Sequence, residues 1–367
     1  FAAQYTNEEL HGNDVIILDK TTGASKFIPF EEMYITDYQM DYSSYNYSYT
    51  NILDAEGQIT SGINFVTSGV KTKMYAVNSH GEYALGEGVI ELVNKANIDI
   101  DTFDVLTQNT IPEDCDILFI NGPTTDISEE ELEMYKAYLD NGGKAILTVV
   151  WSENDLTNYY ELLGYYGVEA TKGVVLENDG NYFQRQTYLV EPFESVTDDI
   201  STEFKSDDYV IMPIANILKK KDDSDLRGTL SLSDIVISTE DAYGKTNPES
   251  TVIEKEENDI EGPFSLVIQA SDTYKDNSSK VVIFASPYMT ADEWIDSYEC
   301  SNIDLFIDSI DWMSEQQSIT VPKRNLDGVY LKVPVKDATI WAVVTIIIIP
   351  LGFLLAGFVV WYMRRKH

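Results

Sequence analysis

Apolar residues recur along the middle of the chain with two alternating periods. Short apolar runs at Lys73–Asn78, Asp116–Ile120 and Ala145–Val150 predict β-strands, and the segments between them carry apolar residues at helical spacing. The clearest helix follows Ser128, which forms a predicted capping box with Glu131. Strands that alternate with amphipathic helices predict an α/β domain with a mostly parallel, doubly wound sheet.

The same pattern divides the chain into segments. We expect residues 54–170 and 263–317 to form the α/β domain, with a sheet of the flavodoxin or glutamine-amidotransferase-like kind. Residues 1–53 are predicted to be a strand-rich remainder of a truncated upstream module, in which the tyrosine-rich stretch 36–50 is a loop. Residues 171–262 are predicted to be an acidic insertion with β character, and residues 318–339 a juxtamembrane connection.

The 24-residue stretch Ile340–Met363 contains no charged residue. A helix of this length spans the roughly 30 Å hydrocarbon core of a bilayer. Trp341 and Trp361 lie near its two ends, and the basic tail 364–367 follows, which predicts a cytoplasmic tail and an extracytoplasmic segment 1–339. Because the chain begins at Phe1 without a signal peptide, we expect an additional N-terminal anchor upstream.

The predicted membrane helix carries features of a helix that packs against others. Pro350 lies near its middle, where it removes a backbone donor and frees the carbonyl of Ile346. Gly352, Ala356 and Gly357 offer small faces for close helix packing. We therefore expect a docking helix rather than a simple tether.

Charge and composition exclude several classes of function. The chain carries 62 acidic and 25 basic residues, a net charge of −37, which disfavours binding to nucleic acid. Cys115 and Cys300 are too few for a disulfide scaffold, so we predict two free, mostly buried thiols, with a disulfide between them as the alternative. Only three histidines occur, no metal-ligand spacing is present, and we expect no metal and no cofactor.

Polar residues follow three of the predicted parallel strands, where α/β folds bind ligands. We predict a candidate pocket at these strand ends, formed by Ser79, His80, Gly81, Glu82, Asn121, Gly122, Thr124, Trp151 and Glu153. His80 and Glu82 are compatible with a polar pocket or an acid/base pair. The alternative is a βα turn in which His80 hydrogen-bonds the backbone and Gly81 takes an unusual dihedral angle.

Known catalytic motifs are missing from the sequence. Gly142-Gly143-Lys144 lacks P-loop spacing, so the chain is not predicted to hydrolyse nucleotides. No GxGxxG, GxSxG or HExxH pattern occurs. No pair of carboxylates has a spacing that marks a glycosidase.

The order of several motifs resembles one protein family. These are Glu56–Val66, Lys73–Asn78 with Ser79–Glu82, Asp116–Pro123 with Thr124–Leu132, and Tyr138–Lys144, followed by the C-terminal anchor with Pro350-Leu351 and a Trp-Tyr-x-Arg-Arg finish. They resemble the auxiliary-component family of ABC transporters related to the gliding-motility protein GldG. The resemblance covers residues 54–160 and 300–367. It implies an outward α/β domain that works with an ABC permease and, through it, an ATPase subunit, with no catalytic residues to carry over.

Three functional hypotheses follow. The first is a non-enzymatic, membrane-anchored accessory subunit of an ABC export or gliding-type system, which docks to the permease through its membrane helix. The second is a surface hydrolase or amidotransferase-like enzyme that uses His80 and Glu82. The third is an extracytoplasmic solute- or glycan-binding receptor that uses the tyrosine-rich stretch 38–49.

Overall fold

The computed structural model describes most of the chain from residue 4 to residue 365. The described residues are 4–6, 9–41, 46–68, 71–177, 189–190, 193–194, 200, 210–247, 254–292, 300–314, 324–326, 343–352, 354, 357, 361 and 365. They belong to two compact units, one formed by Phe1–Met33 and Ala55–Pro322, the other by Tyr34–Asp54 and Lys323–His367. The candidate site lies in the first unit.

The described residues contain both helices and strands along the whole chain. The α-helices are α1 (Phe30–Met33), α2 (Ala55–Ser68), α3 (Glu87–Lys95), α4 (Val105–Gln108), α5 (Glu129–Asp140), α6 (Thr157–Tyr165) and α7 (Asn302–Ser314). The strands are β1 (Val15–Leu18), β2 (Ser25–Ile28), β3 (Tyr34–Asp41), β4 (Asn46–Leu53), β5 (Thr72–Val77), β6 (Ile98–Phe103), β7 (Ile117–Asn121), β8 (Lys144–Thr148), β9 (Val168–Thr171), β10 (Val174–Leu176), β11 (Leu189–Val190), β12 (Phe193–Glu194), β13 (Met212–Pro213), β14 (Ile217–Lys220), β15 (Leu230–Ile237), β16 (Tyr243–Lys245), β17 (Ile260–Glu261), β18 (Ser265–Tyr274), β19 (Asn277–Phe284) and β20 (Arg324–Asn325).

An eight-stranded sheet forms the centre of the first unit, in the order β12-β15-β18-β19-β8-β7-β5-β6. Five adjacent strands, β19, β8, β7, β5 and β6, run parallel to one another. Beyond β19 the sheet continues with β18, β15 and β12, and each of these pairs antiparallel with the strand before it. The predicted α/β fold with a mostly parallel sheet is therefore confirmed. Since the chain passes from β5 to β6 on one side and then to β7 on the other, the order reverses between β5 and β7.

Two strand pairings depart from the sequence-based description. Strands β18 and β19 form a long antiparallel hairpin, with Tyr274 opposite Asn277 at its tip. Strand β15 comes from the acidic stretch 171–262 but pairs along β18, so this stretch contributes a strand to the main sheet. The turn residues Lys275 and Asp276 both have positive φ, of 48° and 69°, as a tight hairpin turn requires.

The core lies on both faces of the inner parallel strands β7 and β8, which are buried along almost their whole length. The inner strands are therefore near-continuous apolar runs, as in Ile117–Asn121, where all five residues are buried. Helix α5 begins with the predicted capping box, since Ser128 accepts from the backbone N–H of Glu131 and Glu131 accepts from that of Ser128. On helix α7, Phe306 packs edge-on against Phe119 of β7.

The second unit corrects one sequence-based expectation. The tyrosine-rich stretch 36–50 is predicted to be a loop, but strands β3 and β4 cover part of it and pair antiparallel. Tyr34 lies opposite Leu53 at one end of the pairing, and Asp41 lies opposite Asn46 at the other. Its tyrosines and the threonines at its two ends favour a pleated strand, and this preference outweighs the shortage of aliphatic residues. The side chains of most of these tyrosines lie outside the described residues, so the receptor hypothesis stays a prediction.

Part of the predicted membrane helix is described. Residues 343–352 are helical, and Val344–Ile348 form a π-helical turn just before Pro350. A proline removes one backbone donor and crowds the carbonyl four residues earlier, which a wider π turn accommodates. Gly352 and Gly357 have open space around their Cα atoms, and Ala356 lies outside the described residues. Within the described part of the chain, we find no helix with the length and apolar character needed to cross a membrane.

Candidate functional site

The three predicted strand ends do converge, and they are held together by hydrogen bonds. The carbonyl of His80 accepts from the backbone N–H groups of Thr124 and Thr125, at 2.9 and 3.0 Å. The carbonyl of Thr124 accepts from the Ser152 hydroxyl and the Asn154 amide, each at 2.8 Å. The loop at Thr124 and Thr125 therefore lies between the loop at His80 and the loop at Ser152, and it is hydrogen-bonded to both.

Two glycines make this close packing of the loops possible. Gly122 has φ +62°, and a Cβ there would lie 2.9 Å from Pro287 Cγ and 3.2 Å from Val150 Cβ. Gly81 has φ +74°, as expected for the turn alternative, and a Cβ there would lie 2.2 Å from Thr124 Oγ1. Both positions require glycine for conformation and for space.

His80 makes its side-chain contact with a residue that the sequence did not single out as a partner. Its Nε2 lies 3.0 Å from Oε1 of Glu131 on α5, and both residues are only 9 % exposed. Burial alone would raise the pKa of Glu131, but hydrogen bonds from the Ser128 N–H and from His80 lower it below its ordinary value. An ionised Glu131 accepts from Nε2, so the imidazole donates at this atom.

Glu82 does not pair with the His80 ring. Its Oε2 accepts from the backbone N–H groups of Ser79 and His80, at 2.8 and 2.7 Å. The expected acid/base pair of His80 and Glu82 is therefore not formed in this structure, because the two side chains engage different partners. Because Glu82 follows Ser79 by three residues, its carboxylate reaches back to the N–H groups of Ser79 and His80 and closes the turn between them.

The other predicted site residues have roles in holding the loops. The Asn121 amide donates to the carbonyl of Tyr83 at 2.8 Å, and its oxygen accepts from the Thr148 hydroxyl at 2.9 Å. Trp151 lies 6.0 Å from the ammonium of Lys172, which also donates to the Glu153 carbonyl at 2.6 Å. These contacts build the edge of the sheet and place no reactive group in a cavity.

A cavity of about 210 Å³ does lie at this edge of the sheet, next to the predicted pocket. Of the nine residues predicted to form the pocket, only Glu82 lines it. Its walls come from strands β5, β6 and β7, from helix α3, and from the segment that leads into α3, among them Val77, Ile100, Phe119, Ile90 and Leu85. The cavity lies on the α3 side of the strand ends, beside the residues that the sequence analysis predicted to form the pocket.

Two acidic residues near the site accept hydrogen bonds from the first turns of helices. Asp126 accepts from the backbone N–H groups of Asn158 and Tyr159 at the start of α6, at 2.9 and 3.0 Å. Asp292 accepts from Gly88 and Val89 at the start of α3, at 3.1 and 3.2 Å. Such contacts satisfy free N–H groups and favour negative charge at helix N-termini.

The two cysteines are free thiols and half-buried. Burial raises the pKa of Cys115 to about 11, and it also raises the pKa of Cys300. A raised pKa keeps both thiols protonated and unreactive near neutral pH.

No family model matches this chain. No curated protein matches it either. Among solved structures, a structure titled "mmIFT52 N-terminal domain" is 14 % identical with a TM-score of 0.48, over 68 % of this chain and 100 % of that one. A glutamine amidotransferase from Thermotoga maritima is 11 % identical with a TM-score of 0.37, over 67 % and 100 % of the two chains. PurLQS from the same organism is 11 % identical with a TM-score of 0.36, over 66 % and 100 %.

Proposed function

We propose that this chain is a non-enzymatic, membrane-anchored accessory subunit of an ABC transport system. In this proposal its α/β domain lies outside the cell, and its C-terminal helix docks to the permease within the membrane. The permease in turn contacts the ATPase subunit. The order of motifs that resembles the auxiliary-component family supports this choice over other membrane proteins.

The observation that carries the proposal is the helix at residues 343–352. Nine of its ten residues are exposed, including Ile346 at 72 % and Leu351 at 54 %. A helix that is apolar on every face requires an apolar environment, which a bilayer or neighbouring helices provide. The π-helical turn before Pro350 favours neighbouring helices, because backbone groups released by a proline need partners in a membrane.

The contact between His80 and Glu131 supports a structural role for the His80 ring. The ring of His80 donates to Glu131, and that carboxylate also caps α5. Nε2 is engaged inside the protein by this contact, so this atom is not free to accept a proton from a substrate. We therefore assign the His80 ring a structural role in joining the β5 loop to α5.

Co-purification tests this proposal. The full chain is tagged at residue 1, expressed in its native host and purified in mild detergent, and its partners are identified by mass spectrometry. A chain that ends at residue 339 is the control. We expect the full chain, and not the control, to retain a multi-span permease and an ATPase with a P-loop.

Two results would contradict the proposal. Retention of neither subunit by the full chain would remove the transport assignment. Equal retention by the full chain and the shortened control would move the docking surface from the C-terminal helix to the outer domain.

A further inference from the structure

We propose that the cavity between α3 and the sheet binds a small, uncharged organic molecule, with its apolar body inside the cavity and a neutral polar group at the mouth. This inference goes beyond the accessory role and does not depend on it. The cavity has a volume of about 210 Å³. Since an apolar cavity of about 150 Å³ is large enough to bind benzene, this one can hold a molecule built on a single ring.

The inner walls of the cavity are hydrocarbon. Ala76, Ile100 and Phe119 come from three neighbouring strands and lie on one face of the sheet. Leu85 and Ile90 add apolar surface from the segment before α3 and from α3 itself. All of these except Phe119 are only half-buried, so apolar surface is left uncovered at this place. A ligand with an apolar body would remove that surface from water, as in most small-molecule sites.

The described residues that line the cavity offer no charged group to a ligand. Glu82 and Tyr83 are the two ionisable residues among them. Oε2 of Glu82 accepts from two backbone N–H groups, and Oε1 is buried out of reach of the cavity. The hydroxyl of Tyr83 is hydrogen-bonded to that of Tyr288 at 2.9 Å. A charged ligand would therefore lose hydration in the cavity without gaining an oppositely charged partner, which favours a neutral ligand.

Neutral polar groups mark the mouth of the cavity. Asn78 and Thr102 both line it, and both are exposed to solvent. An amide and a hydroxyl can each donate and accept hydrogen bonds without carrying a charge. A hydroxyl or carbonyl group of the ligand would therefore find partners at the mouth while the apolar part of the ligand stays inside.

The cavity lies where α/β proteins commonly bind ligands. The strand order reverses between β5 and β7, and Ala76 and Phe119, which line the cavity, belong to these two strands. In open α/β sheets, ligands bind at the carboxyl ends of the strands where the order reverses. This position favours a binding site over a packing defect.

The test uses three probes that share one ring and differ in charge, namely benzyl alcohol, benzoate and benzylammonium. The full chain, held in a lipid nanodisc and labelled at the Ile, Leu and Val methyl groups, is titrated with each probe by NMR at about pH 7, where the second probe is an anion and the third a cation. We expect benzyl alcohol to shift the methyl signals of Leu85, Ile90 and Ile100, with a dissociation constant on the order of 1 mM. Both charged probes should bind at least about tenfold more weakly.

A matched pair of variants locates the binding. Ile100→Phe places a larger side chain in the cavity and should weaken the binding of benzyl alcohol at least about tenfold, as read from Leu85 and Ile90. Ile63→Phe makes the same change on α2, at a residue that is 49 % exposed and does not line the cavity, and should leave binding unchanged. Because benzyl alcohol also enters the lipid, signals that shift equally in both variants measure the effect of the nanodisc. Ile90→Phe fills the cavity from the α3 side if Ile100→Phe does not fold.

Three outcomes would overturn the inference. The first is the absence of shifts at the cavity methyl groups with benzyl alcohol at about 20 mM, well above the expected dissociation constant. The second is binding of benzoate or benzylammonium that is as tight as that of benzyl alcohol. The third is unchanged binding in a folded variant with a filled cavity. If neither filled variant folds, the comparison of the three probes on the unmodified chain still decides the question.

Discussion

The Nε2 atom of His80 lies 3.0 Å from the carboxylate of Glu131, and the same carboxylate caps its own helix through the Ser128 N–H. One buried side chain thus joins the loop after β5 to the first turn of α5. We predict that His80→Ala lowers the free energy of unfolding by about 1–3 kcal/mol, because it leaves a buried acceptor without one of its donors. His80→Gln keeps a donor and should recover part of the loss. Urea unfolding at pH 7 measures both, and a loss below about 0.5 kcal/mol for His80→Ala would contradict the structural role.

Glu131 makes the stability of the protein sensitive to acid. Its pKa is lower in the folded chain than in the unfolded chain, so folding favours the ionised form. The resulting stabilisation is present above the ordinary pKa of 4.5 and is lost as the pH falls through the lowered value. We expect Glu131→Gln to make unfolding less dependent on pH between about pH 3 and 5. Denaturant titrations at several pH values test this, and an unchanged slope would show that other carboxylates dominate.

Asp308 on α7 should act in the opposite direction. Burial, and then repulsion from Asp311 and Asp304, raise its pKa from 3.8 to about 7. Because the folded chain binds this proton more tightly than the unfolded chain, stability is greatest below about pH 4 and falls as the pH rises to about 7. We expect Asp308→Asn to stabilise the protein at pH 8 by on the order of 2 kcal/mol, after discounting for partial exposure. The exposed Asp223→Asn is the control, and equal effects of the two changes would argue against a raised pKa.

Gly122 provides a test of the interlocked loops. An alanine there combines a positive φ of 62° with contacts of 2.9 Å to Pro287 and 3.2 Å to Val150. We expect Gly122→Ala to lower the free energy of unfolding by about 2 kcal/mol, since a ring and a strand end would have to shift. Gly228→Ala has open space and no positive φ, so it should have little effect. Thermal unfolding of the two variants compares them directly, and similar midpoints would contradict the close packing.

The elements that follow a strict local pattern could be predicted from the sequence. The capping box at Ser128 and Glu131 is local, and it marks the start of α5 correctly. The parallel strands are apolar runs between amphipathic helices, so their order along the chain indicates an α/β sheet. The edge of the sheet at which ligands would bind follows from the same pattern.

The contacts within the site could not be predicted in the same way. His80 and Glu131 are 51 residues apart, and no local pattern distinguishes Glu131 as the partner from the neighbouring Glu129 and Glu130. The pairing of β15 with β18 joins residues 28 to 42 positions apart, and no local pattern indicates it. Glu131 is the partner of His80 because it is the third residue of α5, and a side chain at this position faces back towards the helix cap.

Photo-crosslinking in living cells tests the central claim most directly. We would replace Ile346, which is 72 % exposed, with p-benzoyl-L-phenylalanine in the native host. The control places the same group at Leu106, which is 67 % exposed in the α/β domain. Illumination followed by mass spectrometry identifies whatever each position touches. The accessory-subunit account predicts that position 346 crosslinks to a multi-span ABC permease and that position 106 does not. Crosslinks from position 346 to lipid alone, or to proteins without a transport partner among them, would contradict it.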